Sequence, residues 1–286
     1  MINLSIIILS FNTKKLTLDC VKSIFKVYKK NIENGEIEII VSDNNSKDGT
    51  IEEIEKIKGV KLVKNSENFG FSKGNNLGEK KANGKYILFL NSDTQIKDDG
   101  FLRMIDFMDE NGKAGILGAK LTNPDGSSQK SCGNFYTLFS LLFTLFGKDL
   151  IVRKNPDRME KVDWVSGASL MIRKNIFEKI KGFDEDFFMY IEDMELCYRV
   201  KKLGFEIYFY PDIKLIHKEL GSGNRTFAIL NIYKGIIIFY KKHLIGQYPF
   251  VRFMLFVKAL VSLVIGVLAN NYYLKKTYFS ALKISV

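Results

Sequence analysis

Short apolar runs alternate with amphipathic stretches along the first third of the chain. Runs rich in Ile, Val and Leu are typical of parallel strands covered on both faces, and they predict strands at residues 5–9, 37–41, 60–63 and 86–90. Between the first two runs, apolar residues recur at the spacing of a helix, at Leu16, Leu18, Val21, Ile24 and Phe25. Strands and helices in alternation predict an α/β fold with a doubly wound, mainly parallel sheet.

The elements that join and follow these strands are also predicted from local patterns. Thr50 and Glu53 have the spacing of a capping box, which predicts that Thr50 is the N-cap of a helix. Residues 65–76, with two glycines, predict a loop that runs into a short helix. Further along we expect a helix at 101–111, a short strand near 116–117, a turn at 124–126, and two strands at 205–210 and 213–216.

Three polar clusters follow predicted strands directly, at residues 10–12, 43–45 and 91–93. Asn, Asp and Ser are common turn formers, which accounts for each cluster by itself. Their shared position is better explained by a ligand site, because ligands of open α/β sheets bind beyond the carboxyl ends of the strands.

Residues 182–199 combine aromatic side chains with five carboxylates close to them, which suggests an apolar pocket with an acidic floor; these are Asp184, Glu185, Asp186, Glu192 and Asp193. Glu192 and Asp193 begin a helical pattern, and acids in a first turn can simply complement the helix dipole. Alternatively, Asp193 is a general base, because apolar surroundings raise the pKa of a carboxylate toward neutral pH. The local pattern leaves both interpretations open.

The cysteine content and the charge distribution indicate the redox compartment of the protein and the kind of surface that it binds. Three cysteines without a short spacing argue against a disulfide framework and a zinc knuckle, and favour a reducing compartment. Residues 214–286 hold eleven Lys and Arg but one acid, Glu219, and so carry +10 of the net charge of +11. This tail is rich in Ile, Leu, Val and Phe, which favours an anionic membrane surface over nucleic acid.

The apolar segments of the chain are short for a membrane span. In the stretch 250–269, Arg252 and Lys258 leave only 259–269 free of charge, which is typical of a helix that lies in the membrane interface. Lys241, Lys242, Lys275 and Lys276 flank it. We therefore expect a catalytic domain at 1–225 and a helical, membrane-associating tail at 226–286. Residues 135–146 are uncharged, and form either a buried helix or a surface near the membrane.

Several motifs occur in a fixed order, at residues 5–12, 43–50, 68–76, 90–93 and 182–188, followed by the pair Glu192 and Asp193 and by His217. In this order, over about residues 1–223, they resemble the family 2 inverting glycosyltransferases with a GT-A fold. The rhamnosyltransferase-type enzymes of surface polysaccharide synthesis are the most similar group.

The resemblance implies a role for each matching position. The nucleotide-sugar site would comprise Ser10, Phe11, Asn12, Asp43, Asn45, Asn68, Gly70, Lys73, Asn75, Asn91, Ser92 and Asp93. Asp43 would bind the base, the acceptor side would include Trp164, Gly167 and Glu192, and Asp193 would be the general base. Asp93 and His217 would hold Mg²⁺ or Mn²⁺. The first acid of the family's Asp-x-Asp motif is Asn91 here, which leaves a weaker, neutral ligand.

The implied activity is transfer of a sugar, with rhamnose favoured, from a dTDP or UDP carrier to a lipid-linked or polysaccharide acceptor at the cytoplasmic face of the membrane. Transfer to a polyprenyl phosphate is the alternative within the family. A non-catalytic sugar-nucleotide-binding subunit is a second alternative, because of Asn91. A nucleotidylyltransferase is disfavoured, since residues 10–15 lack the Gly-rich phosphate loop that it would carry after the first strand.

Overall fold

The computed structural model describes residues 2–145, 152–218 and 225–286. Within these ranges the strands are β1 (Leu4–Ser10), β2 (Ile37–Asp43), β3 (Val60–Lys64), β4 (Tyr86–Asn91), β5 (Thr94–Gln95), β6 (Ala114–Thr122), β7 (Cys132–Gly133), β8 (Arg153–Lys154), β9 (Glu160–Val162), β10 (Trp164–Val165), β11 (Ser169–Arg173) and β12 (Glu206–His217). The α-helices are α1 (Lys14–Glu33), α2 (Thr50–Glu55), α3 (Gly70–Glu79), α4 (Gly100–Glu110), α5 (Leu138–Leu145), α6 (Lys174–Lys179), α7 (Glu192–Lys202), α8 (Arg225–His243), α9 (Tyr248–Leu268) and α10 (Tyr272–Ser285).

The central sheet is mixed and mainly parallel, as the sequence predicts. Its strands follow the order β3-β2-β1-β4-β11-β6-β12-β5, and β9 pairs with β12. The pairs β1 with β2, β1 with β4, β2 with β3, and β6 with β12 are parallel. β11 runs antiparallel to both of its neighbours, β4 and β6, and the short strands β5 and β9 run antiparallel to β12. A small second sheet has the order β10-β7-β8.

Hydrophobic side chains cover both faces of this sheet. Ile6 and Ile8 of β1 belong to one buried cluster, which includes residues of α1 and α4. Ile7, between them, belongs to the other cluster, which includes residues of α7, α8 and α9. Successive side chains of a strand point to opposite faces, so an uninterrupted apolar run is required where both faces are covered.

The strand register brings the three polar clusters to one edge. Ser10 lies opposite Asp43, and Leu9 lies opposite Asn91, the last residue of β4. The prediction that these clusters share the carboxyl edge of the sheet is therefore confirmed. The edge is continued by β12, which pairs with β5 through His217 and Thr94.

Three local predictions are wrong in detail. The predicted strands at 205–210 and 213–216 form one strand, β12, with a register shift between Tyr210 and Lys214, where Pro211 lacks a ladder N–H. Helix α3 begins at Gly70, inside the expected loop, because small residues let it lie close to β1 and β2. Thr50 is the first residue of α2 rather than its N-cap, and the N-cap is Gly49, which has no side chain to bond the helix.

The tail is helical, and α8 packs on the body of the protein. Tyr233, Ile236, Phe239 and Tyr240 of α8 lie in the same buried cluster as side chains from α7 and from the sheet. Helix α10 packs against both α8 and α9. The predicted boundary between 225 and 226 comes directly after residues 219–224, which lie outside the described ranges. The division into a domain and a tail therefore remains a prediction.

Helix α9 has one buried stripe and a broad exposed apolar face. Val251, Leu255 and Ala259 are fully buried, whereas Phe253 is 66% and Leu268 is 83% exposed. Among the described residues, 245–268 is the one stretch long and apolar enough to cross a membrane, with a mean hydropathy of 2.2. Length and composition therefore permit a span, although the tail was expected to lie on the surface.

Helix α5 accounts for most of the uncharged segment 135–146, whose last residue lies outside the described ranges. Leu141 is buried, and Phe139 is 67% exposed. The helix packs against α9. One side of α5 is thus buried, and its other side adds apolar surface beside the exposed face of α9.

Candidate active site

Asp43 organises the loop that follows β2. This carboxylate is fully buried and accepts hydrogen bonds from the Ser10 hydroxyl at 2.6 Å and from the Ser46 hydroxyl at 2.7 Å. Its other oxygen, Oδ1, accepts the Ser46 N–H at 2.7 Å. Two predicted site residues, Ser10 and Asp43, are therefore in direct contact, and each further bond that Asp43 makes must use a remaining lone pair.

Two asparagines at this edge adopt left-handed backbone conformations. The φ angles of Asn12 and Asn45 are 53° and 65°, in the region that asparagine tolerates better than most residues. The Asn12 side chain accepts the Lys47 N–H at 2.7 Å, and the Asn45 amide donates to the Ser66 carbonyl at 2.8 Å. Phe11, which is 42% exposed, lies beside them, so its ring is available to a planar ligand.

The segment 68–75 is joined to the loop after β2 by an asparagine network. The Asn44 amide donates to Asn68 Oδ1 at 3.1 Å and to the Gly70 carbonyl at 3.0 Å. The φ angle of Gly70 is 76°, and a Cβ there would lie 2.3 Å from the Phe188 carbonyl oxygen, so glycine is required. The Lys73 ammonium lies 3.9 Å from the centroid of the Phe69 ring.

One predicted binding residue of this segment is turned away from the surface. Asn75 is buried inside α3, and its amide donates to the Phe71 carbonyl at 3.0 Å. The structure therefore does not bring the Asn75 side chain together with the exposed residues of the edge.

Asn91, Asp93 and His217 meet at one corner of the edge. His217 Nε2 lies 3.2 Å from Asp93 Oδ1 and 3.3 Å from the Asn91 amide nitrogen. The hydroxyl of Ser92, which lies between Asn91 and Asp93, is 3.2 Å from the Thr13 hydroxyl. Two residues that are 124 positions apart in sequence, Asp93 and His217, are thus neighbours, as the resemblance implies.

Gln129 orients His217, and the sequence holds no signal for it. Gln129 Oε1 lies 2.8 Å from His217 Nδ1, while the Gln129 amide donates to the His217 carbonyl at 2.9 Å and to Asn123 Oδ1 at 2.6 Å. Because the amide is engaged as a donor twice, Oε1 must accept, and Nδ1 must carry the proton. Nε2 is then the ring nitrogen that faces Asp93, and in the neutral imidazole it is the one that can bind a metal.

The donor set at this corner fits a divalent cation. A carboxylate, an imidazole nitrogen and an amide oxygen are ligands that Mg²⁺ or Mn²⁺ accepts, and Gln129 supplies the second-shell bond typical of ligating histidines. No group of three or more His, Cys, Asp or Glu side chains with ligating geometry occurs among the described residues. The protein alone therefore offers a partial coordination shell, which suits an ion whose remaining ligands come from a diphosphate.

Asp193 is held at the start of α7 by two backbone donors. Its Oδ2 accepts the Gly167 N–H at 3.0 Å, and its Oδ1 accepts the Met194 N–H at 2.8 Å. Burial raises the pKa of Asp193, although these two bonds and the charge of Arg153 act in the opposite direction. A Cβ on Gly167 would lie 2.9 Å from the Phe71 ring, so this glycine permits the close approach of that ring to the backbone that holds Asp193.

The backbone before Asp193 is strained. Tyr190 and Ile191 have φ angles of 71° and 73°, which are rare for bulky residues. Strain of this kind persists only where surrounding contacts enforce it, and it is concentrated at functional sites. Glu192 follows; it is 6% exposed, and its Oε2 has no hydrogen-bond partner among the described residues. Burial and the neighbouring Asp193 raise the pKa of Glu192 well above its usual range.

The aromatic residues of 182–190 divide between the core and the surface. Phe183 and Phe187 are buried, whereas Phe188 is 38% exposed. Trp164, expected on the acceptor side, is 7% exposed, and its indole N–H donates to the Asn134 carbonyl at 3.0 Å. The indole is thus engaged inside the body of the protein, and its role on the acceptor side stays a prediction.

Comparison with known proteins identifies the family. Residues 5–181 match the family described as glycosyl transferase family 2, and residues 152–220 match the N-terminal domain of galactosyltransferase. The chain is 27% identical to an N-acetylglucosaminyl-diphospho-decaprenol L-rhamnosyltransferase of Mycobacterium tuberculosis, over 66% of this chain and 69% of the relative. It is 30% identical to rhamnosyltransferase WbbL of Escherichia coli, over 56% and 64%.

Solved structures share the fold. A mannosyltransferase from Pyrobaculum calidifontis, in complex with GDP-Man and Mn²⁺, has a TM-score of 0.60 at 12% identity and covers 99% of this chain, which spans 85% of it. GalNAc-T7 with UDP, GalNAc and Mn²⁺ has a TM-score of 0.63 at 18% identity, over 84% of this chain and about half of that structure, 48%. These likenesses support the GT-A-like architecture, and the family match covers more than half of the chain. The protein is a glycosyltransferase and belongs to family 2.

Proposed function

We propose that the protein moves a sugar from a nucleoside diphosphate to a lipid-linked or polysaccharide acceptor, with inversion at the anomeric carbon and with Asp193 as the general base. The observation that carries the proposal is the position of the Asp193 carboxylate, held by the Gly167 and Met194 N–H groups at the start of α7. The rhamnosyltransferase relatives support a dTDP- or UDP-linked donor of the rhamnose type.

The donor binds along the carboxyl edge of the sheet in this proposal. Phe11 contacts the base, the fully buried Asp43 fixes the loop beside it, and the segment 68–75 lies along the sugar and the diphosphate. The bonds of Asp43 to Ser10 and Ser46 support this arrangement, because they fix the base loop before a ligand arrives. A site that is ordered in advance loses less conformational entropy when it binds.

Asp93 and His217 hold the divalent metal, and Asn91 contributes its amide oxygen if the amide is rotated relative to its present bond. When bound, Mg²⁺ or Mn²⁺ neutralises the negative charge that develops on the leaving diphosphate. Gln129 keeps the Nε2 lone pair of His217 directed at this position. The neutral Asn91 leaves the site with less negative charge than two carboxylates would provide, which lowers its affinity for the cation.

Asp193 takes the proton from the acceptor hydroxyl. The hydroxyl oxygen then forms the new bond to the anomeric carbon as the bond from that carbon to the diphosphate breaks, and the nucleoside diphosphate leaves with the electron pair. A single displacement inverts the anomeric centre, so one base is sufficient. The raised pKa of Asp193 makes its carboxylate a stronger base than an exposed aspartate.

The tail places the enzyme at the cytoplasmic face of the membrane as a peripheral protein. The exposed apolar face of α9 and the basic residues around it support this placement. An acceptor carried on a lipid is thereby brought to the same surface as Asp193. The alternative, transfer to a polyprenyl phosphate itself, needs the same location and differs only in the acceptor.

Release of nucleoside diphosphate tests the proposal. We expect purified full-length protein to be stabilised thermally by one nucleotide sugar of a panel, and to release the matching diphosphate only with Mg²⁺ or Mn²⁺ present. Activity that survives exhaustive EDTA treatment contradicts the metal assignment. Absence of both binding and release across dTDP-, UDP- and GDP-sugars, with membranes supplied as a source of acceptor, contradicts the function as a whole.

A further inference from the structure

A cavity of about 420 Å³ lies between the segment 186–190 and α8. The protein contributes aromatic and aliphatic side chains from both sides, together with one ammonium group and one carboxylate, that of Asp186. Phe188 and Met189 come from the segment, and Phe227, Leu230 and Lys234 come from α8. The size is within the range of cavities that bind small molecules. None of the residues assigned to the donor or to the metal lines it.

This cavity adjoins the candidate active site through Phe188. The Phe188 carbonyl accepts the Phe71 N–H at 2.6 Å, and the Phe188 ring lies against the backbone of Gly70. On its other side, the same ring is 6.1 Å from the ring of Phe227, measured between centroids. One aromatic ring therefore separates the cavity from the segment expected to bind the donor sugar.

The charged groups that line the cavity are the Asp186 carboxylate and the Lys234 ammonium group. Asp184 and Asp186, the acids nearest to α8, both pair with Lys242, with Nζ–O distances of 2.5 and 2.6 Å. Lys234 has no ion-pair partner among the residues that the structure describes, and it is exposed at the cavity. Lys242 thus engages the carboxylate that lines the cavity, and the Lys234 ammonium group is left to meet an anionic group of a ligand.

The remaining lining is apolar. Leu230 and Ile238 of α8 face Phe187 and Met189 across the cavity, and methionine adapts to ligands of irregular shape. α8 packs in turn on α9, whose exposed face is the surface expected to meet the membrane. An amphiphile with an anionic head and an apolar chain fits this lining.

We propose that this cavity binds the phosphate-bearing end of the lipid-linked acceptor, with Lys234 contacting the phosphate and the apolar lining receiving the first units of the lipid chain. The proposal rests on the proposed function for the identity of the lipid. It assigns to α8 a role in substrate binding, in addition to joining the tail to the body. The acceptor sugar then extends past Phe188 toward Asp193.

Isothermal titration calorimetry of farnesyl diphosphate binding to the full-length protein tests the cavity. The titration is made in EDTA, so that the metal site does not contribute. We expect Lys234→Glu to weaken binding about tenfold or more, since a contact to a charged group is lost. Lys241→Glu is the matched control, because Lys241 is an exposed lysine of the same helix that does not line the cavity, and its affinity should stay within about twofold. Leu230→Trp, which fills the cavity, should also abolish most of the binding.

Two results overturn the proposal. Binding that is equal in wild type, Lys234→Glu and Leu230→Trp places the ligand elsewhere, and inorganic diphosphate that binds as tightly as farnesyl diphosphate removes the lipid from the assignment. Nucleotide-sugar binding and metal-dependent release of diphosphate, measured in the same variants, report on the proposed function separately. If the wild-type protein shows neither nucleotide-sugar binding nor release of diphosphate but binds farnesyl diphosphate at the cavity, the proposed function is refuted and the cavity assignment stands.

Discussion

Replacing Asp193 by asparagine removes the base and retains nearly the same shape. The carboxylate accepts one N–H from Gly167 and one from Met194. An amide can satisfy only one of these donors, because its nitrogen faces the other. A buried N–H left without an acceptor costs about 1–3 kcal/mol in the free energy of unfolding. Burial raises the pKa of Asp193, so removing the charge also removes an unfavourable desolvation, which offsets part of that cost.

The expected stability change is therefore a loss of about 2 kcal/mol or less, or a few degrees in Tm for a protein of this size. Turnover should fall by about 10²-fold or more, the scale of lost general-base catalysis, with the Kd of the donor unchanged. Wild-type turnover should rise with pH through the raised pKa of Asp193, because only the deprotonated carboxylate accepts a proton, and Asp193→Asn should lose that rise.

The assay is release of nucleoside diphosphate at saturating donor and acceptor, with Tm measured by scanning calorimetry on the same preparations. Asp212→Asn, an exposed position on β12, is the matched control and should keep wild-type values of both. If Asp193→Asn turns over at close to the wild-type rate, Asp193 is not the base. If it unfolds by many degrees, the carboxylate has a structural role greater than its two hydrogen bonds account for.

Four further outcomes are expected. Glu192→Gln should raise the Tm at pH 7 and have no effect on it below pH 4.5, the ordinary pKa of glutamate. The pKa of Glu192 is raised in the folded state, so the wild-type protein loses stability as the pH rises above 4.5. An equal Tm of the two proteins at pH 7 contradicts this. Gln129→Leu should weaken Mn²⁺ binding, titrated directly, by about 10–100-fold, and Asn123→Ala, which removes a bond to Gln129 but none to the histidine, by less. The full chain should float with anionic vesicles at low salt and be partly released by high salt, each basic residue near the surface contributing about 1 kcal/mol; a chain that stays in the soluble fraction refutes the membrane assignment, and a protease-protected loop inside sealed vesicles indicates a span. Removal of 226–286 should yield insoluble protein, because the buried aromatic side chains of α8 belong to the main core; a soluble, cooperative 1–225 fragment shows instead that the tail is separable.

His243 illustrates why α8 matters to the active site. Its Nε2 lies 2.9 Å from Glu195 Oε1, and Arg199 forms a bidentate pair with the same fully buried carboxylate at 2.7 Å. Glu195 lies on α7, two residues after Asp193. The end of α8 is therefore hydrogen-bonded to the helix that carries the proposed base.

The sequence by itself determined the elements and the order of the motifs. Uninterrupted apolar runs specify buried parallel strands, and polar clusters after them specify one functional edge, because these properties depend on residues that are close in sequence. The family resemblance rested on the same local motifs. Where the local signal was weak, as at Gly70 and Pro211, packing decided the start of α3 and the continuity of β12.

Only the tertiary structure decided which distant groups meet outside the recognised motifs. Gln129 reaches His217 across 88 positions, and Lys242 of the tail pairs with Asp184 and Asp186 across more than fifty. No periodicity or motif encodes such contacts, since they depend on how the strands and helices pack in three dimensions. The same packing turned Trp164 and Asn75 into the body of the protein and created the cavity beside α8. Burial and partners are properties of the folded chain, and the pKa values of Glu192 and Asp193 follow from them.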